Sequence, residues 1–164
     1  MQLQPRAYDH PDVVSMVAAV QSEYARLYGD EGDVAPIDRA EFVAPDGWFA
    51  VGYVDGRPVA MGGWRRQVPG RLIPGTSPAE IKRMYVVPQA RGQGLSRQML
   101  AAIEESATAA GIDFLALETG LAQPQAIGLY RSSGYTEVPA FGYYADQADS
   151  VHLGKALEHH SLAG

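Results

Sequence analysis

Met84-Tyr85-Val86-Val87-Pro88-Gln89-Ala90-Arg91-Gly92-Gln93-Gly94-Leu95-Ser96-Arg97-Gln98-Met99 is the stretch on which the reading of this chain turns. Its apolar, β-type start stops at Pro88, a glycine-rich turn follows, and a helix is expected from about Leu95. Gly92 and Gly94 carry no Cβ, so successive backbone N–H groups can turn inward there as a concave donor cluster. The new helix aims its unpaired N–H groups and the positive end of its dipole at the same place. A strand, turn and helix of this form suits phosphate oxygens.

Outward from that turn, Glu80–Val87 reads as the strand that feeds it. The helix Leu95–Ala110 repeats Leu95, Met99, Ile103 and Ala107 at i+4 steps, and Gly111 ends it. Asp113–Leu117 is nearly continuous in apolar residues, as suits a strand covered on both faces. A short helix is expected over Pro124–Ser133, then strands over Tyr135–Phe141 and Ser150–Lys155. Upstream, residues 3–8 read as a first strand and Pro11–Tyr28 as a helix, capped by Asp9 and ended by Gly29. Its apolar positions Val13, Met16, Val17, Val20, Tyr24 and Leu27 recur at helical spacing. Gly29–Gly47 is loop-like, with a short helix around Asp38–Phe42. Residues 48–54 and 57–65 form a hairpin across the Asp55-Gly56 turn. Three prolines and two glycines make 67–79 an irregular loop.

At 164 residues the chain is one domain by size, expected over 1–157 with a tail over 158–164. Hydrophobic residues at 46% and charged residues at 20% are those of a globular protein with its own core. No apolar run approaches the roughly 18 residues of a membrane span. Met1–Arg6 lacks the apolar core of a signal peptide, so a soluble, cytoplasmic protein is the expectation. The chain contains no cysteine, which removes disulfides, thiolate metal sites and cysteine nucleophiles together. A net charge of −6 speaks against general nucleic-acid binding. His10, His152, His159 and His160 lack ligand spacing, and no metal site is expected.

Two other readings of the glycine turn fail on residue identity. A phosphate-binding P-loop needs Gly-Lys-Ser/Thr, which is absent, and a Gly-x-Gly-x-x-Gly dinucleotide fingerprint would need glycine where Arg97 stands. The turn Gln89-Ala90-Arg91-Gly92-Gln93-Gly94 is similar to the Gln/Arg-x-x-Gly-x-Gly/Ala motif of the GNAT superfamily of acyl-CoA-dependent N-acetyltransferases. Ala126-Ile127-Gly128-Leu129-Tyr130-Arg131-Ser132-Ser133-Gly134-Tyr135 is similar to its downstream Ala-x-x-Leu-Tyr-x-x-x-Gly-Tyr/Phe motif. Both occur in order with a strand between them, and the resemblance covers about residues 3–157. It implies a single α/β domain with a central mixed, mostly antiparallel sheet flanked by helices.

The resemblance also implies a chemistry. Acetyl-CoA would be the acyl donor, its pyrophosphate held by backbone amides of Arg91, Gly92, Gln93, Gly94, Leu95 and Ser96. Its pantetheine arm would run along Met84, Tyr85 and Val86 like an added strand, where relatives carry a bulge. An N–H near Tyr85 or Val86 would polarise the thioester carbonyl. Tyr130 would lie near the cofactor sulfur and protonate it, since a phenol with a pKa of about 10 is protonated at neutral pH. The bland reading of Tyr130 is a core aromatic on a short amphipathic helix.

An alkylamine is mostly ammonium at neutral pH, so its acetylation needs a base. Glu80, four residues before Met84, matches the base position of some relatives. Strand alternation, absent a bulge, puts Glu80, Lys82, Met84 and Val86 on one face. Its alternative role is as a partner of Lys82 or Arg83. Glu118, near the end of the buried strand, could act as base, bind a cationic amine, or be a hydrogen-bonded structural carboxylate. Gln123 stands where many relatives have asparagine, and helix capping is its simplest use. Gly128 weakens its helix and could let the cofactor approach. Tyr24, Tyr28, Trp64, Arg65, Phe141, Tyr143 and Tyr144 form the candidate acceptor wall, with Arg65 and Arg66 able to meet an acidic acceptor.

The expected function is transfer of acetyl from acetyl-CoA to a primary amine of a small molecule or protein. A non-catalytic acyl-CoA-binding sensor or interaction module is the alternative. No nucleic-acid or membrane partner is expected, and a homodimer, common among relatives, stays open.

Overall fold

The computed structural model describes residues 1–29 and 32–158. Most of the expected tail, including His159 and His160, lies outside the described residues. The elements in chain order are β1 (Gln2–Pro5), α1 (Pro11–Tyr28), β2 (Gly47–Val54), β3 (Arg57–Arg66) and β4 (Pro78–Val86). They continue with α2 (Leu95–Ala109), β5 (Phe114–Gly120), α3 (Pro124–Ser132), β6 (Thr136–Glu137) and β7 (Ser150–Ala156). The strands form one sheet in the order β1-β2-β3-β4-β5-β7-β6. Every neighbouring pair is antiparallel except β4 and β5, which run parallel. This is the mixed, mostly antiparallel α/β sheet expected.

Helical periodicity decides which face each helix covers. On α1, Val13, Met16 and Val20 are buried against Phe49, Val51, Met61 and Tyr85. On α2, Met99, Ile103 and Ala107 are fully buried on the opposite face, against Ala60, Trp64, Ile81 and Leu115. Each large apolar side chain so buried stabilises the fold by about 1.5–3 kcal/mol. Tyr130 of α3 belongs to the same cluster as α2.

Several boundaries differ from the sequence-based expectation. β1 ends at Pro5: after one more bond to β2, from the Arg6 N–H to the Phe49 carbonyl, the chain turns at Ala7–His10 into α1. The cap of α1 is His10, whose Nδ1 accepts from the Asp12 amide at 3.1 Å; Asp9 pairs with Arg39 instead. β4 begins two residues early at Pro78, and β5 continues to Gly120. The strand expected over Tyr135–Phe141 shrinks to Thr136–Glu137, with one further bond from the Val138 N–H to the His152 carbonyl before the chain leaves β7 at Pro139.

The feature that positions the site is a bulge in β4. Met61 faces Tyr85, but Gly63 faces Lys82, so one extra residue is accommodated between them. That residue is Arg83, whose φ of 57° lies in the left-handed region and costs about 1–2 kcal/mol for a non-glycine residue. The bulge reverses the alternation of the strand. Ala79 and Ile81 point to the α2 face before it, while Met84 and Val86 pack on that face after it. Glu80 and Lys82 therefore face the α1 side. The single face expected for Glu80, Lys82, Met84 and Val86 does not exist.

Already before the bulge β4 parts from β5. The two are paired only over Pro78–Glu80 and Phe114–Ala116. The flank of β4 that faced β5 is left without a ladder partner through Val86, and a gap opens in the sheet.

Candidate active site

Two clefts meet in this gap. The first, of about 420 Å³, is walled by Glu23 and Tyr24 of α1, Met84–Val86 of β4, the glycine turn and Tyr130 of α3. The second, of about 410 Å³, is walled by Tyr24 and Tyr28, Lys82 and Arg83 of β4, Glu118 of β5, and Tyr144. Tyr24 and Gln123 line both. Each volume suits a small-molecule site.

The glycine turn presents its donors as its sequence predicts. Gly92 and Gly94 have φ of 79° and 75°, and a Cβ on either would meet open space. Gly94 is the N-cap of α2 and offers no side-chain cap. Among the described residues, no carbonyl or side chain accepts from the amides of residues 92–97. Unpaired helix-start amides of this kind, with the dipole behind them, favour an anion. A diphosphate fits this cradle on donor chemistry and on space.

Two of the expected turn residues behave differently. The Arg91 amide is spent on the Pro88 carbonyl at 3.3 Å. Its guanidinium instead lies over the Tyr85 ring, 5.6 Å from the centroid, and bonds Glu23 and the Val86 carbonyl, each at 2.9 Å. Gln93 does not line the cleft. The Arg97 amide is also unpaired, but Arg97 does not line the cleft either.

Tyr130 is buried at the inner end of the first cleft, its ring set edge-on to Tyr135 at 5.6 Å. Its hydroxyl lies 3.7 Å from the Met84 sulfur, a weak acceptor. Burial, reinforced by Tyr24, pushes its pKa well above that of a free phenol, so it stays protonated. The Tyr24 hydroxyl is pushed up to about 12, again chiefly by burial.

The two candidate carboxylates have different surroundings. Glu80 is buried outside both clefts and receives Arg65 Nε and Nη2 at 3.3 and 3.2 Å and Gln67 Nε2 at 3.3 Å. Glu118 faces the second cleft, and burial pushes its carboxyl up to about 7 against the opposing pull of Lys82. The structure therefore brings Glu118, Tyr24 and Tyr28 to one cleft wall and leaves Glu80 behind.

The acceptor wall is only partly as expected. Tyr24, Tyr28 and Tyr144 line the second cleft. Trp64 is core, with Nε1 donating to Ser106 at 2.7 Å. Arg65 is held by Glu41 and Glu80, while Arg66 reaches Pro45, Ser77 and Ala110. Phe141 packs with Ile73 and Ala116, and Tyr143 is exposed. Gln123 makes no side-chain cap; its Nε2 donates to the Tyr28 hydroxyl at 3.1 Å. Gly128 lines neither cleft and meets open space.

Sequence reading missed Asp33 and did not place Lys82 and Arg83 in the second cleft. Asp33 accepts from the Tyr144 hydroxyl at 2.7 Å, and that oxygen accepts from the Val34 amide at 2.9 Å. Burial opposes ionisation of Asp33, but Lys82, the Tyr144 hydrogen bond and Arg83 together hold its carboxyl below the usual range. The adjacent basic pair just before Met84 was the available signal.

Among the described residues no helix is long and apolar enough to cross a membrane, and no cluster of ligand-type side chains could hold a metal ion.

The model of the acetyltransferase (GNAT) family matches residues 14–135. An IAA acetyltransferase of Azospirillum brasilense is 33% identical over 145 residues, covering 88% of this chain and 90% of that protein. A solved candidate acyl-CoA N-acyltransferase of Klebsiella pneumoniae is 26% identical, with a TM-score of 0.76 over 96% of this chain and 97% of that one. The GNAT domain of S. lividans PAT superposes with a TM-score of 0.70 at 21% identity, over 94% and 89% of the two chains.

Proposed function

This chain belongs to the GNAT family of acetyltransferases, and from that premise we propose that it transfers acetyl from acetyl-CoA to the primary amine of a small molecule. The observation that carries this reading is the junction of the two clefts. One offers a run of unpaired amides and an unpaired strand flank; the other offers a carboxyl poised near neutrality.

Acetyl-CoA supplies an activated thioester. The amides of Gly92, Gly94, Leu95 and Ser96 hold its diphosphate, and Met84–Val86 take the extended arm along the flank of β4 left free of β5. An amide at Tyr85 or Val86 is the candidate donor to the carbonyl oxygen as charge builds there.

Glu118 is the general base. With a pKa near 7 it is about half ionised at neutral pH and can take a proton from a bound ammonium. Tyr130, protonated and on the wall of the first cleft, gives its phenolic proton to the departing sulfur. Glu80 holds the strand instead, through Arg65 and Gln67. The second cleft, of about 410 Å³, has the size of a small-molecule site, which favours a small molecule over a protein.

The test is acetyl-CoA-dependent thiol release across a panel of small amines, with coenzyme A binding measured in parallel. Turnover with at least one amine is the expected result. Coenzyme A binding with no thiol release from any amine would point to the sensor role instead.

A further inference from the structure

Buried cations in this protein are normally saturated. Arg65 meets Glu41, Glu80 and the Pro36 carbonyl, all at 3.1–3.3 Å. Lys82 and Arg83, consecutive across the bulge and on the wall of the acceptor cleft, are not. Lys82 Nζ lies 3.7 Å from Glu80 and 3.8 Å from Asp33, and donates no hydrogen bond among the described residues. Arg83 Nη1 is buried, 3.4 Å from Asp33, and likewise lacks a hydrogen-bond partner. Its Nε reaches the Tyr8 hydroxyl at 3.3 Å, so the guanidinium is held in place by the other edge.

The ion pairs around them are shared: Arg65 is divided between Glu41 and Glu80, Lys82 between Glu80 and Asp33, and Arg83 faces Asp33. Charge is therefore about balanced, but Lys82 and Arg83, with side chains only 10% and 5% exposed, keep donors that no acceptor among the described residues satisfies. An unsatisfied buried donor is costly, so a native protein that keeps one usually fills it with a ligand or water. The backbone strain at Arg83 is what sets this side chain at the cleft.

We propose that the acceptor is an amine that also carries a carboxylate, bound with its carboxylate on Arg83 and Lys82 and its amine toward Glu118. The proposal rests on the acetyltransferase reading above and narrows its acceptor class. Adjacent ammonium and guanidinium donors on one wall suit a carboxylate. Glu118 and Asp149 on the same cleft supply the opposite sign for an ammonium group. A cleft of about 410 Å³ holds both ends of an amino-acid-sized molecule. Arg83 is thus a specificity-determining residue, and it takes no part in proton transfer.

The experiment compares phenylalanine, β-alanine and 4-aminobutyrate with their carboxamides, and phenylalanine with phenethylamine, as acceptors in the thiol-release assay. For at least one acid, kcat/KM should exceed that of its amide by roughly ten- to hundredfold, the worth of a charge-assisted hydrogen bond. In Arg83→Gln that ratio should fall toward one, mainly through KM for the acid, and Arg83→Lys should recover part of it. Lys82→Gln gives the same reading should Arg83→Gln fail to fold. Turnover of phenethylamine or the amides without preference for any acid overturns this proposal and leaves the acetyltransferase reading standing. If no amine is acetylated, calorimetric titration of N-acetylphenylalanine into coenzyme A-saturated protein decides the carboxylate site by itself. Binding lost in Arg83→Gln and absent for N-acetylphenylalaninamide supports it, and no binding overturns it.

Discussion

The Tyr28 hydroxyl accepts a hydrogen bond from Gln123 Nε2 at 3.1 Å, tying the last turn of α1 to the start of α3 where the two clefts meet. Gly120 makes this approach feasible, because a Cβ there would collide with that hydroxyl. The two clefts thus share one boundary, lined by Tyr24 and Gln123, with Tyr130 on the wall of the first and Glu118 on the wall of the second.

If Glu118 is the base, kcat/KM should rise with pH through an apparent pKa of about 7 and level off above it. Glu118→Gln should lower the plateau by roughly 10²–10⁴-fold and abolish that limb. A pH profile unchanged in the variant would transfer the role to water or another group.

The same carboxyl predicts a stability effect of known sign. Its folded-state pKa is raised, so its contribution is fully present below about 4.5, the unfolded value, and is lost as pH rises through about 7. Glu118→Gln should therefore melt close to wild type at pH 4.5 and above it at pH 8. Thermal melts at the two pH values check this, and a difference that shrinks with rising pH contradicts it.

Tyr130→Phe removes one hydroxyl whose sole hydrogen bond among the described residues is the weak one to Met84. The ring and its packing on Tyr135 remain. Turnover should fall by roughly 10²-fold or more while coenzyme A affinity changes little. Stopped turnover together with lost coenzyme A binding would mark Tyr130 as a packing residue.

Glu80→Gln should act on the fold rather than on proton transfer. It leaves Arg65 buried with one fewer charged partner, a loss of roughly 2–3 kcal/mol read by urea denaturation. The pH limb near 7 should survive. Its disappearance in this variant would return the base assignment to Glu80.

Gly94→Glu places a like charge where diphosphate is expected, at a φ of 75° that disfavours any side chain. Coenzyme A affinity should fall by more than tenfold, as read by calorimetry. Gly94→Ala separates the two causes: it carries the backbone strain of about 1–2 kcal/mol without the charge. Normal affinity in Gly94→Glu would remove the turn from the binding site.

Local pattern was enough for much of this molecule. The repeat of Val13, Met16 and Val20, the Asp55-Gly56 hairpin, and the Gly92 and Gly94 turn with its helix are all short-range features. Their geometry follows from residue spacing, backbone freedom and capping over a few positions. The order of elements with the two motifs therefore sufficed for the family and the sheet. Tyr130 and Glu118 stand at strand and helix positions that the same periodicities locate.

What depended on tertiary structure is the assignment of neighbours across the bulge. Nothing local requires Arg83 to adopt a left-handed φ; that comes from β3 holding Met61 opposite Tyr85 while Gly63 meets Lys82. The extra residue reverses side-chain parity, sending Glu80 toward Arg65 and Met84 toward Tyr130. Pairings such as Asp33 with Tyr144, 111 residues apart, have no sequence signal, because they exist only when two distant loops close on one cleft. The donors of Lys82 and Arg83 that this packing leaves unpaired could likewise be read only from the folded chain.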